Sequence, residues 1–145
     1  MIAIASDHGG YPLKEHIKAY LAAKGITCQD FGTDSTESCD YPAFGKAAAQ
    51  AVASGQCEWG IVICTTGIGI SMAANKVRGI RCAHCADTVE ARLTREHNDA
   101  NMLAIGAGFT GELLALEMVD VFLNTPFSEG ERHARRVAKV NAIQP

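Results

Sequence analysis

The sequence predicts an α/β fold built on a parallel sheet with helices on both faces. Three observations carry this. Strand-like and helix-like blocks alternate from one end of the chain to the other, the pattern of repeated strand–helix–strand units. Residues 59–64, WGIVIC, form a nearly continuous apolar run, as expected for a strand whose sheet is covered on both faces. Prolines and glycines stand where helices would open and close.

The elements follow in order. IAIAS (2–6) is a short β-favouring run stopped by Asp-His-Gly-Gly. Pro12 suits a first helical turn, and Leu13, Ile17, Tyr20 and Leu21 then recur at helical spacing until Gly25. ITCQDFG (26–32) reads as a second strand, followed by the polar turn TDSTESCD. Pro42 opens an alanine-rich helix through Ser54, closed by Gly55. After the strand at 59–64 comes a glycine loop leading into a helix. IRCAHC (80–85) and MLAIGA (102–107) supply two more strands, with helices near 87–96, 110–123 and 130–141. No repeat, low-complexity tract or linker interrupts the chain, so residues 1–145 read as a single domain.

Composition narrows the function. Hydrophobic residues at 48% and charged residues at 20% describe an ordinary globular protein. A net charge of −3 argues against nucleic acid and anionic membranes as partners. No apolar run approaches the ~20 residues of a membrane span. The N-terminus MIAIASDHGG lacks the basic flank and apolar length of a signal peptide. A cytoplasmic protein is expected, with its six cysteines as reduced thiols.

In open α/β sheets, ligands bind beyond the carboxyl ends of the strands. Those positions hold Ser6-Asp7-His8, Asp40-Tyr41, Cys64 to Ser71, and Asp87. In ICTTGIGISMAANK (63–76), Gly67 and Gly69 free the backbone to approach a ligand, and the amides opening the next helix suit phosphate, carboxylate or a developing oxyanion. A tight strand-to-helix turn would need the same small residues. A dinucleotide fingerprint fails at Met72, although Asp87 lies 20 residues after Gly67. The P-loop Gly-Lys-Ser/Thr is absent, and the arginine of a cysteine phosphatase loop is replaced by Ile70. Cys64 sits where a strand ends and a helix begins, a setting expected to raise thiolate character. Cys28, Cys57 and Cys82 read as small buried hydrophobes. The pair Cys82 and Cys85 lacks further ligands at zinc spacing, so no metal is expected. His8 and His97 lie near element ends. Arg132, Arg135, Arg136 and Lys139 share one helix face, with Val137 and Val140 available for packing; such a face is either solvated or an anion clamp. A thiol, an oxyanion nest, a histidine and arginines suit proton transfer between adjacent carbons of a phosphorylated sugar, which requires no metal or organic cofactor.

SDHGG (6–10), DYP (40–42), ICTTGIGISMAANK, REHNDAN (95–101) and GERHARR (130–136) together resemble the ribose-5-phosphate isomerase B family, which includes allose- and galactose-6-phosphate isomerases. The resemblance covers essentially the whole chain. It implies a Rossmann-like three-layer α/β/α fold around a five-stranded parallel sheet, and an enediol mechanism with neither metal nor cofactor in the pentose phosphate pathway. By position, Cys64 resembles the base that moves the proton between C1 and C2. Thr65, Thr66, Gly67, Ile68 and Gly69 resemble the substrate loop, with Thr66 beside the sugar as a further catalytic group. His97 resembles the acid/base group that opens the furanose ring, with Asn98 beside it. Asp7, His8 and Tyr41 match sugar-contacting positions, and Arg132 and Arg136 the phosphate clamp. The resemblance also implies a homodimer whose sites are shared between subunits, with pairing into a tetramer left open. Two positions depart from the family: Thr65 stands where glycine is general, and Gly108 where an arginine is common. Gly108→Arg is therefore expected to lower KM for ribose 5-phosphate. Isomerisation of a six-carbon phosphosugar, allose 6-phosphate or galactose 6-phosphate, is the alternative. A non-catalytic module that binds sugar phosphate or nucleotide is a second.

Overall fold

The computed structural model describes residues 1–143. Five strands, β1 (Ile2–Ser6), β2 (Cys28–Asp30), β3 (Trp59–Cys64), β4 (Cys82–His84) and β5 (Met102–Gly106), form one sheet in the order β2-β1-β3-β5-β4. Every pairing is parallel. Six helices alternate with them: α1 (Tyr11–Ala23), α2 (Tyr41–Ala53), α3 (Ile68–Asn75), α4 (Thr88–Asn98), α5 (Glu112–Asn124) and α6 (Glu131–Asn141).

Side chains sort by strand parity. Ile2, Ile4, Ile61, Ile63, Leu103 and Ile105 face α1, α4 and α5, meeting Leu13, Ile17, Leu21, Ala91, Met118 and Phe122 in one core. The alternate positions, Ala3, Ala5, Val62, Cys64, Met102 and Ala104, meet Ala48, Ala49, Val52, Ile70 and Ala74 of α2 and α3 in the other. Small residues on that second face let the alanine-rich α2 lie close to the sheet, and Cys64 points into this compact layer.

Three expectations are corrected. The strands foreseen at 26–32 and 80–85 shrink to Cys28–Asp30 and Cys82–His84. Both are edge strands with a single neighbour, and the Ile26 amide donates to Leu21 O to close α1 instead of joining the ladder. Cys28 is half-buried, since it lies on the β2 edge, whereas Cys57 and Cys82 are buried as foreseen. No residue of α6 is buried in the single chain; Val137 is partly covered and Val140 is 53% exposed. No described helix is long and apolar enough to cross a membrane.

Candidate active site

The chain leaves β1 on one side for β2 and crosses to β3 on the other, so the sheet's topological switch point lies between the carboxyl ends of β1 and β3. Cys64 ends β3 there, 5% exposed, paired in register with Gly106. The chain then turns sharply. Gly67 adopts φ +75°, a left-handed conformation that side chains rarely tolerate, and its N–H donates to Cys64 Sγ at 3.1 Å. An amide aimed at sulfur complements the negative charge of a thiolate. Thr66 Oγ1 lies 4.0 Å from the same sulfur and accepts the Ile68 N–H at 3.1 Å. Ile68 opens α3, and Gly69 follows where Tyr41 leaves no room: a methyl there would sit 2.6 Å from the phenol oxygen. The amides at the head of α3 thus gather beside the thiol, the arrangement that accommodates a developing oxyanion.

Neighbouring loops complete this half of the site. Asp7, buried at the end of β1, accepts the Gly9 and Gly10 amides through Oδ1 at 3.0 and 3.2 Å, which shapes the entry into α1. The Cys39 amide donates to His8 Nδ1 at 3.1 Å. That donor leaves Nδ1 as the acceptor, so neutral His8 carries its proton on Nε2. Cys39 Sγ also lies 3.9 Å from Nδ1, a neighbour the sequence reading did not single out. Its only signal was adjacency to Asp40-Tyr41. Asp87 caps α4 by accepting the Glu90 N–H at 2.8 Å, which accounts for its place after a strand without a ligand.

The remaining candidates lie elsewhere. His97 and Asn98 end α4, and Arg81 donates to the carbonyls of Asn98 and Asp99 at 3.1 and 3.0 Å. Arg81 in turn accepts the Met102 amide through its carbonyl, at the opposite end of β5 from Gly106. Four strand steps, about 13 Å, therefore separate the level of Cys64 from that of His97 within one chain. The α4 terminus is rigidly held. Buried Arg95 donates to Asp99 Oδ1 at 2.8 Å and Ala100 O at 2.6 Å, while its guanidinium lies 4.3 Å from the Trp59 ring centroid. The His97 ring stacks on His133 of α6, with centroids 4.4 Å apart and planes 4° apart. Lost hydration, then the positive charge of His97, Arg132 and Arg136, holds the His133 imidazole below its ordinary 6.5. Arg132 and Arg136 are exposed on α6, and Arg136 and Asn98 line a cavity of about 330 Å³ between α6 and the β4 edge. Cys64 is not on that cavity, so the largest chemical candidates divide into two groups.

The other cysteines read as packing. Burial, then the nearby carboxylates of Glu90 and Asp87, pushes the Cys85 thiol from 9.0 up to about 12; burial likewise raises Cys82. Among the described residues, no group of three or more His, Cys, Asp or Glu is placed to hold a metal.

Comparison with known proteins gives one consistent answer. The Ribose/Galactose Isomerase family profile matches residues 2–140. Ribose-5-phosphate isomerase B of Escherichia coli is 46% identical over 143 residues, covering 99% of this chain and 95% of that protein. Galactose-6-phosphate isomerase subunit LacB of Clostridium acetobutylicum is 44% identical over 143 residues, covering 99% and 83%. The solved ribose-5-phosphate isomerase B of Clostridium thermocellum superimposes with a TM-score of 0.94 at 55% identity, covering 97% of this chain and 94% of that one.

Proposed function

The chain belongs to the ribose/galactose isomerase family, and on that premise we propose that it interconverts ribose 5-phosphate and ribulose 5-phosphate through an enediol. The single observation that carries the chemistry is Cys64 at the switch point, its sulfur accepting the Gly67 amide beneath the head of α3. In this reading Cys64 removes the proton from C2 of the open-chain aldose as the C1 carbonyl becomes an enediolate oxygen. The amides of the 65–69 loop hold that oxygen while Thr66 assists beside the sugar, a proton passes from O2 to O1, and the thiol returns its proton to C1 as the C2 carbonyl forms. Asp7, His8 and Tyr41 contact the sugar hydroxyls. The six free thiols suit a reducing cytoplasm.

His97, Asn98, Arg132 and Arg136 enter the same reading from a second subunit. His97 protonates the ring oxygen to open the furanose, and the two arginines fork onto the phosphate. What supports this is the division of the candidates between opposite ends of the parallel strands, and the apolar residues left open in each group: Ile68 is 46% and Met72 62% exposed on α3, which follows Cys64, and Val140 is 53% exposed on α6 with Arg136. A homodimer that seats the Cys64 group of one subunit against the α4–α6 group of the other covers both.

The six-carbon alternative stands on Gly108, where the site lacks a cationic side chain, and on the LacB likeness. Incubating the purified protein with ribose 5-phosphate, allose 6-phosphate and galactose 6-phosphate, and following ketose formation, tests both. Ribulose 5-phosphate as the dominant product is expected. Turnover of a hexose phosphate alone would replace this substrate with the alternative, and turnover of none would leave only a binding module.

A further inference from the structure

β1, β3 and β5 are adjacent, so the loops that follow them lie side by side across the floor of the Cys64 half-site. The first carries Gly9, the second Thr65, the third Gly108. Thr65 is exposed at the mouth, and the Gly108 N–H donates to its carbonyl at 2.8 Å. Its side chain fills the strip between the flanking loops. A methyl on Gly9 would overlap Thr65 Oγ1, and one on Gly108 would sit 3.1 Å from Thr65 Cγ2 and 3.0 Å from its carbonyl oxygen. Neither Gly9 nor Gly108 has a positive φ. Space, and not backbone conformation, is what glycine provides at both positions.

We infer that Thr65 is a specificity-determining wedge: its hydroxyl requires glycine at position 9, its methyl crowds position 108, and the two together disfavour a longer or charged side chain on the floor of the site. Threonine suits this task because branching at Cβ restricts χ1, so the side chain cannot easily swing aside. The floor presents a neutral hydroxyl and no cationic side chain. An arginine placed at 108 is consequently misdirected while Thr65 remains, so the wedge implies the opposite of the expectation that Gly108→Arg alone lowers KM. The consequence for substrate rests on the phosphosugar reading above; the packing does not.

The test is a double-mutant cycle on Thr65→Gly, Gly108→Arg and their combination, with thermal midpoints at one protein concentration and KM for ribose 5-phosphate. Gly108→Arg alone should lower the midpoint by about 3 °C or more without lowering KM. The double variant should lose less midpoint relative to Thr65→Gly than Gly108→Arg loses relative to wild type, with KM about tenfold below that of Thr65→Gly, as a new charge-assisted hydrogen bond allows. Two further variants test the wedge without substrate: Gly9→Ala should lose midpoint and regain it with Thr65→Gly. Thr65→Ser, which keeps Oγ1 and drops Cγ2, should relieve Gly108→Arg but not Gly9→Ala, and it serves if Thr65→Gly folds poorly. Additive midpoints, or a KM drop in Gly108→Arg equal to that in the double variant, would overturn the inference; so would a recovered midpoint with KM unmoved. Coupled midpoints in a protein that turns over no phosphosugar would instead overturn the functional reading and leave the wedge in place.

Discussion

At the scale of single residues, Cys64 and His97 carry separable tasks in the proposed reaction, and their variants should fail differently. Cys64→Ala removes the proton carrier and no phosphate contact. Its turnover should fall about 10²–10⁴-fold, while ribose 5-phosphate still protects the protein in thermal melts. Near-normal turnover would remove Cys64 from the mechanism. His97→Asn should slow the cyclic aldose phosphate far more than an open-chain substrate, because only the former needs a proton on its ring oxygen. Equal loss on both would assign His97 another role. The placement of Cys64 at a strand end beside a turn was legible from a thiol at the end of an apolar run followed by two glycines. Its partners were less so. That the Gly67 amide reaches sulfur, and that Tyr41 lies against Gly69, depends on contacts 3 and 28 residues apart in the chain, which no local pattern encodes. Thr65 is the sharper case: a departure from the family at one position explains glycine at another only once the loops are side by side.

At the scale of elements, strands and helices with strong periodicity fall where the sequence puts them, and the misses cluster at the sheet edges. β2 and β4 are short because an edge strand has one neighbour to pair with, a property of strand order that local propensity does not contain. β2 is tied down by a buried cation. Lys14 of α1, 1% exposed, donates to Asp30 Oδ2 at 2.7 Å and to Thr33 O at 2.5 Å. Helical spacing gives no hint of this, since a lysine in an amphipathic helix ordinarily reads as solvated. Burial works against ionised Asp30, but hydrogen bonds from Lys14 and Lys18 and the Gly32 amide outweigh it and hold the carboxyl below its ordinary 3.8. The native state therefore binds fewer protons than the unfolded chain just below pH 3.8, so this contribution is present above that pH and is lost as pH falls through the native value. Urea midpoints between pH 5 and pH 2 should drop more steeply for wild type than for Asp30→Asn; parallel slopes would refute the assignment. Lys14→Met should cost ~1–3 kcal/mol at neutral pH, since it leaves Thr33 O without its donor.

At the scale of the whole molecule, the parallel sheet that aligns the carboxyl ends of β1 and β3 also carries α4 back to the amino ends of the strands, and α6 packs against it there. The separation of Cys64 and His97 within one chain entered the sequence reading only through the family resemblance, because it follows from the direction in which each element crosses the sheet and not from any local pattern. Arg81 makes that separation firm by binding the end of α4 and, through Asn141 Oδ1 at 2.9 Å, the end of α6. One subunit folded this way does not bring its own Cys64 to its own His97, so the proposed catalyst needs two. The prediction that belongs to this scale is complementation. Cys64→Ala and His97→Asn proteins, each inactive on cyclic ribose 5-phosphate, are mixed, dissociated in mild urea and allowed to reassociate. In a mixed dimer one site receives both defects and the other receives neither. Random pairing makes half of the dimers mixed, so activity should return to about a quarter of the wild-type value per subunit, with a dependence on exchange time that either variant alone lacks. Mass spectrometry under native conditions reports the mixed species directly. If that species forms and activity stays absent, the site is not shared between subunits, and His97 must act on some other step or in some other place.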